Sequence, residues 1–399
     1  MKNVCRVPPA KLCAVRRGSS IFWLLLGIVA YIGIRPAAAQ SISLTVAGPT
    51  AVIYSTTQSG CGRDFLPDAP ARAFKRADGK VALFATSDIN WYMLGSSLLS
   101  LTSACQTAMV PSDYAPLDDR QLWIEGTYTI DGKNVEALVS EDLTNSARLR
   151  GCVPHPAGHC WLSNIVAATS SDMGASFQLV PGASGLIASM ADTYDDNFHG
   201  RVGYFTTSNV VKSGGYYYFI SFAQTDDVKS IGNRLFRTSD ITDPSSWRAW
   251  DGTGFTAIPR AGASGPPPAV IGKRSLMSEV RSLLWVPKAS CWVAVFLGRT
   301  RLQGDAAIIP GIYMATSTDL INWGRPSRIF ATPLRPTDGV NIVVGYPSIL
   351  DPGSLTRNFE TIDSDRPLLT YTVINPGQPG GIYNREILSV PLRIVQGGP

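Results

Sequence analysis

The chain has 399 residues, with 35 Lys and Arg against 30 Asp and Glu, and 45% of its residues are hydrophobic. Six cations and no acid precede residue 40, so 29 basic and 30 acidic residues (35 minus 6, against 30) remain beyond it. Nucleic-acid binding requires a surplus of Lys and Arg on one face. Because the charge beyond residue 40 is balanced, we do not expect a nucleic-acid partner.

The first segment predicts export. Basic residues are followed by the apolar run "IFWLLLGIVAYIGI" and then by Ala-Ala-Ala-Gln, the pattern of a signal peptide with its cleavage site. A membrane anchor is the alternative, but the run is short and no second apolar span follows. We predict a signal peptide over 1–39 and a mature protein over 40–399, secreted or periplasmic, without a membrane contact; Sec and Tat export both remain open.

Five cysteines follow the predicted signal peptide. An oxidising compartment favours disulfides, and the spacing predicts the pairs Cys152–Cys160 and Cys61–Cys105, with Cys291 as a buried free thiol. The two histidines between Cys152 and Cys160 offer zinc ligation as the alternative. Because no second ligand cluster is present, we expect the disulfide and no bound metal there.

An aspartate recurs after short alternating strands. Ser or Thr precedes the Asp, and an aromatic residue usually follows a few positions later. A side chain that recurs in this way is typical of architecture, because Asp accepts hydrogen bonds from backbone N–H groups ahead of it and closes a turn. We predict turn formers rather than catalytic acids at Asp88, Asp142, Asp172, Asp240 and Asp319.

Hairpin signals recur upstream of these turns. Asp-Gly, Gly-Gly or Pro-Lys separates an apolar strand from an aromatic-rich one, which is the signature of antiparallel hairpins. Units of about four strands begin near residues 68, 120, 207, 277 and 345. This recurrence predicts an all-β protein, a five-bladed β-propeller with four-stranded antiparallel blades. A β-sandwich is the alternative, and segment 41–60 is expected to add a strand to the last blade.

Two of these motifs resemble those of known families. "GIYMATSTDLINW" resembles the strand and turn of five-bladed propeller glycoside hydrolases, the arabinanase-, xylosidase- and invertase-like group, and the chain is most similar to secreted bacterial members. "SSDMGASF" is similar to the Asp box of sialidases. Both are architectural motifs, so the resemblance implies the fold more strongly than any reaction.

The resemblance also implies where an active site lies. Enzymes of this group carry acids at the start of the innermost strands, facing a central funnel, and glycoside hydrolysis needs a proton donor and an ionised carboxylate. The matching positions are Asp68, Glu125 and Glu279, with Glu141 as a rival of Glu125. The third blade offers Asn209 instead of an acid, which departs from the family. The expected substrate-binding residues are Arg72, Asn209, Arg281, Tyr346 and Trp123.

Three functions follow from these residues. The first is a secreted glycoside hydrolase acting on a poly- or oligosaccharide, with Asp68 as base and Glu279 or Glu125 as acid. The alternatives are a non-catalytic glycan-binding propeller, indicated by Asn209, and an envelope-associated structural protein. We expect a carbohydrate ligand, a monomer and no cofactor. A structural cation is a further option at the polar segment "DTYDDNFHG".

Overall fold

The computed structural model of the protein describes residues 42–110, 120–143, 161–190, 201–225, 230–259 and 268–396. The chain divides into two units, Met1–Ala38 and Ala39–Pro399, and the described residues belong to the second. The predicted signal peptide, the Cys152–Cys160 pair and the segment "DTYDDNFHG" (192–200) lie outside these ranges. Within them, no helix is long and apolar enough to cross a bilayer.

The described residues form 24 strands in five blades. Blades 1 and 4 are plain antiparallel sheets of four strands, each in sequence order from the innermost strand outward. Tight turns containing Asp78-Gly79 and Pro287-Lys288 close their first hairpins, as the sequence predicts. Their strands are β3 (Arg72–Lys75), β4 (Val81–Phe84), β5 (Asn90–Gly95) and β6 (Thr102–Met109) in blade 1, and β18 (Ser282–Val286), β19 (Cys291–Thr300), β20 (Ile309–Ser317) and β21 (Ser327–Ala331) in blade 4.

Blades 2 and 3 depart from the regular four-stranded pattern. They share one continuous sheet, because β12 pairs in parallel with β9. The outer edge of blade 2 is divided into two short strands, and the inner edge of blade 3 is broken in the middle. The strands are β7 (Arg120–Tyr128), β8 (Val135–Leu143), β9 (Trp161–Ser170), β10 (Gln178–Leu179) and β11 (Leu186–Ala188), then β12 (Arg201–Thr207), β13 (Val211–Ser213), β14 (Tyr216–Gln224), β15 (Gly232–Thr238), β16 (Arg248–Trp250) and β17 (Phe255–Ala257).

Blade 5 is completed by the start of the described chain. Both N-terminal strands pair with the C-terminal strand β24, which confirms the strand predicted from segment 41–60 and joins the two ends of the ring. The strands are β1 (Ile42–Val46), β2 (Ala51–Ser55), β22 (Val343–Leu350), β23 (Leu368–Ile374) and β24 (Arg385–Gln396). The helical residues described are short 3-10 turns, Gly182–Gly185, Pro244–Ser246, Pro287–Ala289, Pro336–Asp338 and Gly381–Tyr383.

The hydrophobic core is divided among the blade interfaces. Five clusters of buried residues are present in the described chain, and each joins two neighbouring blades. Phe74 and Ile124 belong to the cluster between blades 1 and 2, and Trp91 and Ile387 to the one between blades 1 and 5. The other three clusters lie between blades 2 and 3, 3 and 4, and 4 and 5. One cluster at every interface closes the ring, so the fold is the predicted five-bladed β-propeller.

Asparagine side chains also join the blades. The amide of Asn90 donates to Leu122 O at 2.8 Å and accepts from Ile124 N at 2.7 Å, as a neighbouring strand would. Asn209 makes the same pair of bonds with the main chain of Leu283, at 2.7 and 2.8 Å. A buried polar group is tolerated when its donor and acceptor are both satisfied. These amides therefore replace the backbone pairing that separate sheets lack.

The Asp turns are confirmed at three of the five positions. Asp172, Asp240 and Asp319 each follow the third strand of a blade and accept hydrogen bonds from backbone N–H groups of residues just ahead. Asp88 instead lies before the third strand of its blade, in the connection between β4 and β5, and so at the end of the ring opposite to the other three turns. Asp142 lies within β8 and is buried, so its predicted role as a turn former is wrong.

The two ends of the ring differ because one segment crosses the axis. Residues 351–367, here called the crossing segment, connect β22 to β23 and bond to the ends of three inner strands. Asn358 pairs with the backbone of Thr129 at 2.8 and 3.0 Å, and the N–H of Trp285 donates to Glu360 O at 2.9 Å. The end where the inner strands finish is therefore the covered face, and the end where they begin is the mouth.

Candidate functional site

An arginine closes the axis between the two faces. Arg72 is the first residue of β3 and is 2% exposed. Its guanidinium donates to main-chain carbonyls from three other blades: Glu125 O at 2.6 Å, Thr207 O at 2.9 Å and Arg281 O at 2.9 Å. Burial lowers the pKa of Arg72 to about 9, which leaves it protonated at neutral pH. The side chain predicted to bind substrate thus holds the inner strands together and forms the floor of the mouth.

Asp68 lies at the mouth, four residues before Arg72. The hydroxyl of Tyr346 donates to Asp68 Oδ1 at 2.8 Å, and Arg385 forms an ion pair with the same oxygen. The Asp68 side chain is 27% exposed, so the carboxylate is fixed by partners from blade 5 and remains accessible. Burial and the adjacent Asp68 raise the pKa of Tyr346, which keeps its hydroxyl a hydrogen-bond donor.

Glu125 has the most perturbed environment of the three predicted acids. Burial raises its pKa to about 7, against an ordinary value of 4.5. The N–H of Thr207 on blade 3 donates to Glu125 Oε2 and lowers the pKa of Glu125, as do the charges of Arg281 and Arg72. The charge of Asp142 raises this pKa further. A carboxylic acid that titrates near neutrality can give up a proton at working pH, as a general acid must.

The pKa of Glu279 is shifted in the direction opposite to that of Glu125. Arg201 approaches its carboxylate at 3.4 Å and Arg281 at 3.9 Å, and its side chain is 19% exposed. Burial by itself would raise the pKa of Glu279, but the two guanidinium groups outweigh it and lower the pKa. Glu279 is therefore ionised at neutral pH and holds Arg281 in place.

Arg281 brings the three acids into one group. Its guanidinium lies over the ring of Tyr346, 5.3 Å from the ring centroid, and Tyr346 in turn bonds Asp68. The same guanidinium pairs with Glu279 and lowers the pKa of Glu125 electrostatically. Acids from blades 1, 2 and 4 thus surround one cation and one tyrosine at the mouth, although they are more than 50 residues apart in the chain.

The inner strands are irregular where these side chains lie. The pairing register shifts between Ile124 and Gly126, next to Glu125, and between Gly345 and Ser348, around Tyr346. Tyr346 has φ = 55° and Thr206, beside the N–H that binds Glu125, also has φ = 55°. Non-glycine residues rarely adopt this conformation, and bulges and such strain are concentrated at functional sites. The backbone is therefore deformed to present this group.

Three other predicted residues have different environments. The amide of Asn209 is fully engaged with blade 4, and it lies between β12 and β13 rather than at a strand start, because the inner strand of blade 3 begins at Arg201. Trp123 is partly buried on β7, two residues before Glu125. Glu141, the rival acid, is partly buried and accepts from Asn164 Nδ2 at 3.1 Å.

Asp142 is the functional candidate that the sequence did not indicate. Its side chain is 5% exposed and accepts from Ser140 Oγ at 3.0 Å. Burial raises the pKa of Asp142 to about 6, against the hydrogen bonds from Ser163 and Ser140. Because side chains alternate along β8, Asp142 shares the side of Ser140, opposite to Glu141. The alternation of side chains along β8 could have indicated from the sequence that Asp142 is buried. The similarity of "SEDLTN" to the turn motif instead led to the prediction of a turn.

A cleft opens beside this group, between blades 4 and 5. Its volume is ≈ 740 Å³, and Glu279, Arg281 and Tyr346 form its inner wall. Binding sites for small ligands commonly have volumes of roughly 300–1,000 Å³, so the cleft accommodates one or two sugar rings beside the acids.

The cysteine predictions are resolved in part, and the described residues offer no metal site. Cys61 and Cys105 form a disulfide with an S–S distance of 2.01 Å, and Cys291 is a buried free thiol, as predicted. A disulfide fits an oxidising compartment. Among the described residues, no group of His, Cys, Asp or Glu side chains is arranged to hold a metal ion.

Comparisons with known proteins report only distant structural similarity. No protein-family model matches the sequence, and no curated protein matches it. A glycosyl hydrolase from Bacteroides ovatus matches with a TM-score of 0.43 at 9% identity, over 84% of this chain and 92% of that one. An endo-1,5-α-L-arabinanase from Thermotoga petrophila matches with a TM-score of 0.46 at 12% identity, over 82% and 70% of the chains.

A GH32 β-fructofuranosidase from Bombyx mori matches with a TM-score of 0.44 at 12% identity, over 88% of this chain and 62% of the longer enzyme. The arabinanase and the β-fructofuranosidase belong to the arabinanase- and invertase-like group that the sequence motifs resemble. Sequence identities of 9–12% assign neither a reaction nor a substrate to this chain. The five-bladed ring is established by the sheets and core clusters of the chain itself.

Proposed function

We propose that the protein is a glycoside hydrolase that acts on a poly- or oligosaccharide at the mouth of the propeller. The observation that carries the proposal is the convergence of Asp68, Glu125 and Glu279 on Arg281 and Tyr346. Two of these acids have pKa values moved in opposite directions, Glu125 upward to about 7 and Glu279 downward. A buried carboxyl group with a raised pKa beside other carboxylates is typical of the proton donor of such a site.

Glu125 is the proton donor in this proposal. Glycosidic bond cleavage needs an acid that protonates the leaving oxygen while a carboxylate on the other side activates water or attacks the sugar. Burial and the neighbouring Asp142 keep Glu125 protonated up to about neutral pH. Asp68, which accepts from Tyr346 and pairs with Arg385, is the base or nucleophile. Glu279 is a positioning residue that orients Arg281.

Hydrolysis of a glycan panel tests the proposal. Arabinan, xylan, fructan, mannan and pectin are incubated with the chain from residue 40 onward, and the release of reducing ends is measured. On any substrate that is cleaved, Glu125→Gln and Asp68→Asn are each expected to lower kcat/KM by about 10³-fold, since general acid–base groups contribute roughly 10²–10⁴-fold.

Glu141→Gln is the matched control for Glu125→Gln. It replaces an acid of the adjacent strand by its amide, and the expected change in kcat/KM is less than threefold. Equal activity of Glu125→Gln and wild type on a cleaved substrate would refute the proton-donor role. No release of reducing ends from any member of the panel would favour the second candidate.

The second candidate is a non-catalytic glycan-binding propeller. It is favoured by the double ion pair of Glu279, which keeps this acid ionised and unable to donate a proton at neutral pH, and by Arg201 in place of an acid on blade 3. In that case a glycan array gives binding without turnover, and Glu125→Gln binds as wild type does. No observation on the described residues specifically supports the alternative of an envelope-associated structural protein.

We infer that the protein acts outside the cytoplasm, as a secreted or periplasmic enzyme. The Cys61–Cys105 disulfide and the signal-peptide pattern of residues 1–39 support this location. Fractionation of cells that express the full chain, with N-terminal sequencing of the product, tests it. A product that begins at Met1 in the cytoplasmic fraction would contradict it.

A further inference from the structure

The cleft between blades 4 and 5 has an excess of positive charge. Three arginines line it, Arg281, Arg299 and Arg335, whereas the only carboxylate among its lining residues is Glu279. Arg281 lies at the inner end beside Tyr346, and Arg299 and Arg335 are exposed at the mouth face. A neutral glycan gives no reason for this arrangement.

The acids near the cleft offset only part of this charge. Asp338 pairs with Arg299 and also accepts from the backbone N–H groups of Leu334 and Arg335. Glu279 is shared between Arg281 and Arg201, which adds a fourth guanidinium at the inner end. Arg335 forms no ion pair within the described residues. Among the lining residues and their ion-pair partners, four arginines stand against two acids, whereas Asp68 and Glu125 lie beyond the inner end and do not line the cleft.

One donor in the cleft wall is left without a partner. The Nε–H of Arg281 is buried and makes no hydrogen bond to any described residue, although the side chain is 14% exposed. Buried donors of a native protein are nearly always satisfied. The buried Nε–H is out of reach of a ligand, so a ligand in the cleft contacts the exposed part of the Arg281 side chain, which belongs to the cleft wall.

The remaining lining suits a sugar ring. Met277, Leu297, Leu334, Val343 and Ile374 contribute apolar surface, and binding sites for small ligands combine such surface with a few polar groups that fix orientation. The planar guanidinium fork matches a carboxylate with two parallel hydrogen bonds. The ligand that fits both features is a sugar that carries a carboxylate.

We propose that this cleft is a subsite for a uronic acid residue of the glycan, whose carboxylate is bound by Arg281 and Arg335. The inference rests on the proposed function, because Tyr346 and Arg281 in the inner wall of the cleft also contact Asp68 and Glu279 of the proposed active site. The expected substrate is then an acidic polysaccharide, and neutral arabinan, xylan and fructan are expected to be poorer substrates.

Matched ligands isolate the charge. Trisaccharides of galacturonate, glucuronate, mannuronate and guluronate are compared with their methyl esters, which keep ring and linkage and remove the charge. Affinities are measured by calorimetry on Glu125→Gln, so that turnover does not interfere. At least one acid is expected to bind tenfold or more tightly than its ester at 50 mM salt. The difference should shrink at 500 mM salt, because exposed charges are then screened.

Two arginine variants locate the effect. Arg335→Gln is expected to reduce the preference for the acid at least fivefold. Arg325→Gln, an exposed arginine before β21 at the covered face, is expected to leave it unchanged. Equal affinities of acid and ester for all four sugars, or no binding by any of them, would overturn the proposal. So would inorganic phosphate or a sulfated trisaccharide binding as tightly as the best uronate, since the site would then accept any anion.

The outcomes separate this inference from the proposed function. Cleavage of a neutral glycan that depends on Glu125, without preference for uronates, retains the hydrolase and rejects the uronate subsite. Charge-dependent binding of a uronate without release of reducing ends by wild type retains the subsite and rejects the hydrolase.

Discussion

Two carboxyl groups at the mouth of the propeller, Glu125 and Asp142, have an environment opposite to that of the turn aspartates at the covered face. At the covered face, aspartates accept hydrogen bonds from backbone N–H groups. The hydroxyl and the N–H of Thr242 donate to Asp240 and lower its pKa, and Asp351 accepts from the N–H groups of Gly353, Asp363 and Ser364. At the mouth, burial raises the pKa of Glu125 to about 7 and of Asp142 to about 6.

This difference shows where the fold is stabilised and where it is strained. An acid whose pKa is lowered on folding stabilises the native state when ionised, whereas an acid whose pKa is raised destabilises the native state once it ionises. The aspartates of the covered face hold turns and the crossing segment. Glu125 and Asp142 destabilise the fold once they ionise, as expected of acids kept for a functional site, whereas Glu279 at the same mouth has a lowered pKa and stabilises the fold when ionised.

The largest effect is expected where the two faces meet. Arg72→Met removes a buried guanidinium and leaves the carbonyls of Glu125, Thr207 and Arg281 without this donor. A buried acceptor left unsatisfied costs about 1–3 kcal/mol, so we expect a loss of about 4 kcal/mol in the free energy of unfolding, measured in urea. Arg325→Met, on the exposed surface, is the control with a change below about 0.5 kcal/mol. A loss below 1 kcal/mol for Arg72→Met would show that the axis is held by other contacts.

The second variant removes the anchor of the crossing segment. Asp351 is completely buried and accepts from three backbone N–H groups. Asp351→Ala is expected to lower the free energy of unfolding by about 3 kcal/mol, since charge-assisted bonds contribute more than neutral ones. Hydrogen exchange should increase over residues 351–367 before it increases in the blades. Uniform exchange across all blades would mean that the covered face has no local stability of its own.

The third variant tests the strain of the mouth. Folding raises the pKa of Glu125 from about 4.5 to about 7, so wild type loses stability as the pH rises through this interval. Glu125→Gln cannot ionise and should escape this loss. We expect equal stability near pH 4.5 and an advantage of the variant of about 2 kcal/mol above pH 7, smaller than the full shift because the side chain is partly exposed.

Urea titrations of both proteins from pH 4.5 to 8.5 measure this difference. Arg325→Gln, on the exposed surface of the covered face, is the control for a substitution away from the mouth. A variant that is less stable than wild type at pH 8 would contradict the raised pKa of Glu125.

The smallest effect is expected at a covered-face turn. Asp240→Ala removes the bonds from Thr242 N at 2.9 Å and Thr242 Oγ1 at 2.7 Å. We expect a loss of about 1 kcal/mol at pH 7, comparable to a lost cap. Because Asp240 has a lowered pKa, its contribution is present above the unfolded pKa and disappears as the pH falls through the folded one.

Asp240→Asn separates hydrogen bonding from charge, since the amide oxygen still accepts, and it should lose less than Asp240→Ala. Neither variant is expected to change glycan binding or hydrolysis by more than twofold. A tenfold change in either would place Asp240 in the functional site and remove the distinction between the two faces.

Local sequence determined the blades. The turns at Asp78-Gly79, Asp131-Gly132 and Gly214-Gly215 close the first hairpins of three blades as predicted, because glycine adopts the positive φ that such turns require. The Asp turns after the third strands follow from a side chain bonding to its own neighbours. The Cys61–Cys105 pair was also predicted, because Cys152 and Cys160 bound a short loop and Cys291 lies in an apolar run of the sequence.

Tertiary structure alone decided what the polar side chains at the mouth and at the blade interfaces do. Arg72 and Asn209 have the residue types of a binding site, yet their partners are main-chain groups of other blades that no local pattern can specify. Asp142 resembled a turn residue and is buried at the mouth. The pKa of Glu125 depends on burial by strands distant in the chain. Local hydrogen bonds are encoded by neighbours in sequence, whereas desolvation and charge coupling are set by the groups that the closed ring brings together.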